Sequence, residues 1–159
     1  MTTETTVSEG DAAPDFALAT DGGGRFELAE QKGKPVVIYF YPKDDTSGCT
    51  LEAQAFSESK PEFDRLGVVL VGVSPDSAES HDKFKAKYDL KIALASDESK
   101  DMLNAYGVWK QKSMYGRTYM GVERSTFLIG KDGRIARIWR NVKVPGHVDE
   151  VLAAARAIA

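Results

Sequence analysis

Two short, unbroken apolar runs dominate the first half of the chain, at residues 35–42 and 68–73. Continuous runs of this length, bounded by proline or polar turns, mark strands covered on both faces. They predict strands over residues 36–41 and 68–74. Between them the apolar positions spread out, and Leu51, Ala55, Phe63 and Leu66 predict the buried stripe of a helix beginning near Gly48 or Thr50. Pro61 lacks a backbone donor, so a kink or division of that helix is expected near Lys60.

The alternation then repeats. Pro75-Asp76-Ser77, with Glu79 early in the first turn, opens a predicted helix over 77–88. A short strand over 92–95 and a short helix over 100–106 follow. Residues 125–129 and 135–139 predict a hairpin across Lys131-Asp132-Gly133, and residues 149–158 a closing helix. Near the N-terminus, residues 16–18 and 26–28 flank the turn cluster 20–24 and predict a small hairpin. Residues 1–10 are polar and Thr-rich without periodicity, so a flexible tail is expected there. Residues 11–159 then form one α/β domain, a central mixed β-sheet flanked by helices, with no internal repeat or linker.

Composition narrows the function classes. A chain of 159 residues, 42% hydrophobic and 28% charged, suits one soluble core. The net charge is -3 with basic residues interspersed among acids, so nucleic acid is not an expected partner. The apolar runs fall well short of the ~20 residues that a membrane helix needs. Residues 1–9 carry acids and no basic or apolar leader pattern, which makes a cytoplasmic location the expectation. Two histidines and one cysteine are too few for an ordinary metal site, and no cofactor motif stands out. His81 and His147 read as surface residues at helix starts, Asp44 and Asp45 as solvated loop acids, and Trp109, Tyr115, Tyr119 and Met120 as core and loop packing.

The single cysteine changes the picture. It excludes an internal disulfide and a Cys-x-x-Cys pair, leaving a buried thiol, a nucleophile or an intermolecular partner. Cys49 lies where the loop after the first strand enters a helix. Backbone N–H groups of a first helical turn are unsatisfied and carry partial positive charge, which favours an anionic sulfur. A hydroxyl that donates and accepts, and a guanidinium with fixed donors, would complete a site able to polarise an O–O bond.

Pro42-x-x-x-Thr46-x-x-Cys49 matches the peroxiredoxin active-site pattern at each fixed position. With residues 39–42, 120–129 and 143–152, the chain from about Gly10 onward resembles the peroxiredoxin Q subfamily, also called bacterioferritin comigratory protein. The resemblance implies a thioredoxin-like fold and a thiol-dependent peroxidase acting on hydrogen peroxide and organic hydroperoxides. It implies Cys49 as the peroxidatic thiol, Thr46 bonding the peroxide, Pro42 shielding the sulfur and Arg124 stabilising thiolate and transition state, with Glu52 orienting Arg124.

One departure stands out. Where many members carry a resolving cysteine five residues on, this chain has Gln54, and it has no second cysteine. The expected cycle is therefore of the 1-Cys type, with an external thiol such as thioredoxin, glutaredoxin or glutathione resolving the sulfenic acid. A redox sensor or adaptor forming a mixed disulfide through Cys49 is the alternative. Relatives are often monomers, so a monomer is expected, with a dimer as the other form.

Overall fold

The N-terminal turn cluster does close a hairpin, pairing β1 (Ala17–Ala19) antiparallel with β2 (Arg25–Glu27) in the computed structural model, which describes residues 7–159. The first apolar run becomes β3 (Val36–Phe40), followed by α1 (Ser47–Arg65), β4 (Val69–Ser74), α2 (Ala78–Tyr88), β5 (Ala93–Ser96) and α3 (Asp101–Ala105). Next come β6 (Trp109–Met114), β7 (Arg117–Val122), β8 (Ser125–Ile129), β9 (Ile135–Trp139) and α4 (His147–Ile158).

Five strands form the central sheet in the order β5-β4-β3-β8-β9. β3 pairs parallel with β4 and antiparallel with β8, so the sheet is mixed, as the strand–helix alternation predicts. Every β3 residue is buried because β3 is the middle strand and both faces are covered. Val37 and Tyr39 point into a core with Phe56, Phe63 and Val151 from α1 and α4. Val36, Ile38 and Phe40 point into a second core with Leu103, Tyr106 and Phe127.

Several expectations need correction. The buried face of α1 carries Cys49, Glu52, Ala53, Phe56 and Phe63, whereas Leu51 is 60% exposed. At about 100° per residue, Leu51 lies roughly 200° around the helix from Cys49. α1 also continues through Pro61 as one element. Pro61 is exposed, and the buried Phe56 and Phe63 on either side hold both halves of the helix to one core.

Part of the expected tail over residues 1–10 is tied down. Residues 1–6 lie outside the described residues, but the Gly10 N–H donates to the Ile135 carbonyl at 2.8 Å and the Ile138 N–H to Glu9 Oε2 at 3.0 Å. Residues 7–10 are thus stitched towards β9. The β6–β7 hairpin has no counterpart in the predicted elements. Its turn, Tyr115-Gly116, places both residues at positive φ, as a tight two-residue hairpin turn requires. Most of its side chains face solvent, and Tyr115 is 96% exposed, so only Trp109 and Val122 at its root join the core.

Candidate active site

Sheet register explains how residues far apart in the chain meet. Phe40, the last residue of β3, pairs with Ser125, the first of β8. The loop leaving β3 and the residue entering β8 therefore emerge at the same end of the sheet. That loop, residues 42–46, leads into α1, and the residue preceding β8 is Arg124. A cavity lined by Val36, Ile129 and Gly130 lies at the opposite end of the β3–β8 pair.

Cys49 sits in the first turn of α1, after the N-terminal boundary residue Thr46, and is 1% exposed with its thiol free. Arg124 Nη2 donates to its sulfur at 3.3 Å, and Arg124 Nη1 donates to Glu52 Oε1 at 2.5 Å. The guanidinium thus bridges sulfur and carboxylate, using its planar fork. The Val142 N–H donates to the Arg124 carbonyl at 2.9 Å and fixes the backbone from which the side chain departs. Gly48 provides the room: a Cβ there would stand 3.3 Å from Arg124 Nη2. Sequence reasoning passed over Gly48, although a glycine beside the cysteine was the available signal.

Glu52 is fully buried, and its Oε2 has no hydrogen-bond partner among the described residues. Burial pushes its carboxyl up to about 7, partly offset by the Arg124 charge and hydrogen bond. Near neutral pH the group is therefore shared between acid and carboxylate. For Arg124, burial opposes the charge, but Glu52 and Cys49 outweigh it and raise its affinity for the proton. The Tyr39 hydroxyl is likewise buried without a partner among the described residues. Its ring occupies space that only glycine leaves open, since a Cβ on Gly72 would fall 2.6 Å from the ring.

The other predicted residues are placed less directly. The exposed Thr46 hydroxyl donates to the Lys43 carbonyl at 3.0 Å and makes no side-chain cap to α1. Pro42 is half-buried at the start of the loop, and Gln54 is half-buried on α1. Among the described residues, no group of three or more His, Cys, Asp or Glu side chains is arranged to hold a metal ion. No helix among them is long and apolar enough to cross a membrane.

Three surface assignments are overturned. His81 is 0% exposed and Asp44 is 7% exposed, and they meet at 2.7 Å between His81 Nδ1 and Asp44 Oδ2. His147 begins α4 as expected but is buried, its Nε2 2.8 Å from the Thr126 hydroxyl and its ring edge-on to Phe56 and Trp139. Burial lowers its proton affinity, and Arg124 adds to that against Glu150, which makes it a core histidine in neutral form. Asp45 alone keeps the expected exposure, paired with Lys87 and Tyr88.

Comparison with known proteins agrees with this geometry. The AhpC/TSA family profile matches residues 9–138. Peroxiredoxin Bcp of Bacillus subtilis is 50% identical over 147 residues, covering 92% of this chain and 94% of its own. Peroxiredoxin Bcp of Escherichia coli is 38% identical over 146 residues, with 92% and 94% covered. The solved bacterioferritin comigratory protein of Xanthomonas campestris, studied for alkyl peroxide reduction, superposes with a TM-score of 0.88 at 45% identity, covering 96% of this chain and 98% of that one. A Xylella fastidiosa PrxQ variant gives a TM-score of 0.90 at 39% identity, with 96% and 98% covered. With a thioredoxin-like sheet, a cysteine at a helix start and an arginine on its sulfur, the chain belongs to the AhpC/TSA family, in its Bcp/PrxQ peroxiredoxin branch of thiol-dependent peroxidases.

Proposed function

We propose that this peroxidase works by a one-cysteine cycle on hydrogen peroxide and alkyl hydroperoxides, with Cys49 as the attacking thiol and an external thiol completing turnover. The observation that supports it most is the Arg124 guanidinium donating to the sulfur of the only cysteine in the chain, at 3.3 Å.

In the first step the Cys49 thiolate attacks one peroxide oxygen. The S–O bond forms as the O–O bond breaks, and the other oxygen leaves with the electron pair and takes a proton to become water or alcohol. Sulfur is oxidised by two electrons to sulfenic acid, and the peroxide is reduced by two. Negative charge moves from sulfur to the leaving oxygen during this step, so a donor already beside the sulfur stabilises the transition state. Arg124 is that donor. The Thr46 hydroxyl donates its hydrogen bond to the Lys43 carbonyl, which leaves its oxygen free to accept the peroxide O–H. Pro42 shields the sulfur from water, and Glu52 orients Arg124.

An outside thiol then attacks the sulfenic sulfur, expelling water and leaving a mixed disulfide, and a second thiol releases Cys49 as the other product disulfide forms. Gln54 supplies no thiol for this role. A monomer in a cytoplasmic setting, drawing on thioredoxin, glutaredoxin or glutathione, is the context proposed.

Turnover of peroxide measured in parallel with those three reductants tests the cycle, with Cys49→Ser as control. At least one reductant should sustain many turnovers, and Cys49→Ser should abolish them. A Cys49→Ser protein that consumes peroxide at the parent rate overturns the reading. A single mixed disulfide with one protein and no turnover points to the sensor or adaptor role instead.

A further inference from the structure

Beneath the loop of residues 42–46 lies a second buried ionic cluster that the proposed chemistry does not touch. Asp44 is at its centre. Its Oδ1 accepts from the Tyr41 hydroxyl at 2.6 Å, and its Oδ2 accepts from the Ser80 hydroxyl at 2.8 Å and lies 2.7 Å from His81 Nδ1. The other ring nitrogen, His81 Nε2, is 2.9 Å from the Ala95 carbonyl. A carbonyl can only accept, so Nε2 carries a proton. With Asp44 already accepting two hydroxyl protons, Nδ1 also faces an acceptor. An imidazolium that donates from both nitrogens, to Asp44 and to the Ala95 carbonyl, satisfies every one of these contacts.

The pair belongs to two different parts of the chain. Asp44 is in the loop that carries Thr46 into Cys49, whereas His81 and Ser80 are in the first turn of α2. The same helix holds the next loop residue from its other end, because Asp45 accepts from Lys87 Nζ at 2.8 Å and from the Tyr88 hydroxyl at 2.6 Å. Asp45 is a non-glycine residue at φ 60, a conformation that persists only where its surroundings impose it. The Asp44 N–H is tied as well, donating at 2.7 Å to Asp76 Oδ2, which also accepts from the Ser74 hydroxyl at 2.7 Å. The grip on Asp45 is exposed and screened, while the grip on Asp44 is buried and is not.

We infer that His81 is a positioning residue for the peroxide site: through Asp44 it clamps residues 42–46 to α2, and so sets the Thr46 hydroxyl relative to the Cys49 sulfur. The inference rests on the peroxidatic roles proposed for Cys49 and Thr46. His81 reaches neither substrate nor sulfur and acts through the loop.

A clamp made of an imidazolium has a pH limit. The titratable and charged groups around the ring are Tyr41 just after β3, Asp44 in the loop and Asp76 ahead of α2, and β5 contributes the Ala95 carbonyl. Burial alone would lower the proton affinity of His81, but Asp44 outweighs it, helped by Ala95 and Asp76, and the net shift is upward. Deprotonation leaves one N–H to serve two acceptors, so the clamp is complete below the ordinary histidine range and loses one of its two hydrogen bonds as pH rises through the raised value.

The test compares two rates on reduced holoprotein, oxidation of Cys49 by hydrogen peroxide and its alkylation by iodoacetamide. Both need the thiolate, so their ratio cancels its population and reads how well the site presents a peroxide. In the parent protein the ratio should fall as pH rises past the histidine range. His81→Ala should lower it by about tenfold to a hundredfold, as a sub-ångström to ångström misplacement of a catalytic group does. His81→Asn, whose amide can still donate to Asp44, should restore most of the ratio and make it independent of pH. A folded His81→Ala protein with the parent ratio overturns the inference. So does a His81→Asn protein that keeps the parent pH dependence, even where the alanine variant does not fold. Either result leaves the Cys49 reading standing, since that reading fails only through Cys49→Ser.

Discussion

The loop before α1 is flanked by two buried ionic groups that differ in one respect. On the α2 side both Asp44 oxygens and both His81 nitrogens have partners. On the α1 side Glu52 Oε2 and the Tyr39 hydroxyl have none among the described residues, and Arg124 is shared between a carboxylate and a sulfur. A fully satisfied network is rigid and has one arrangement; a partly satisfied one is held at a cost and can redistribute charge. The first suits a mount, and the second suits a site where charge must move.

Breaking the satisfied side should cost most in stability. Asp44→Ala leaves His81 and the Tyr41 and Ser80 hydroxyls buried without their shared carboxylate, and urea denaturation at pH 6 should show a loss of about 3 kcal/mol. On the reactive side the damage should fall on rate. Arg124→Ala removes the donor on the sulfur proposed to react, and stopped-flow oxidation of Cys49 should slow by about a hundredfold, near 2.7 kcal/mol of barrier. Its stability should change far less than that of Asp44→Ala, because Glu52 can simply keep its proton. Equal stability losses in the two variants would erase the distinction.

The smallest effect concerns pH. An unfolded glutamate gives up its proton near 4.5, whereas Glu52 in the fold holds it to about 7. Between those values the native state binds the extra proton, so its contribution to stability is complete at low pH and declines as pH rises through 7. Relative to the parent, Glu52→Gln should remove a slope of up to about 1.4 kcal/mol per pH unit across that window. Denaturation series at matched pH values would show it, and identical slopes would place the Glu52 proton elsewhere.

Much of this was legible in the chain. The two unbroken apolar runs located the central strands because burial on both faces leaves no room for polar alternation. The spacing of Pro42, Thr46 and Cys49 is local, so it could be read without a fold. The Asp44–His81 contact joins positions 37 residues apart and depends on how α2 docks, which no local pattern encodes. For the same reason two acids that look alike in sequence part company, Asp44 buried and Asp45 in solvent. The β6–β7 hairpin escaped notice because it buries little, and without a covered face a strand has no hydrophobic period to display.

That hairpin carries a liability of its own. Met114 and Met120 are 55% and 49% exposed, on a hairpin whose second strand ends two residues before Arg124. Solvent-facing thioethers take up oxygen from peroxides, the oxidants proposed for the thiol, turning apolar side chains into polar sulfoxides. Under sustained oxidative load the hairpin surface would grow steadily more hydrophilic. Oxygen added to the intact mass would then record the history of this arm as well as the state of the sulfur.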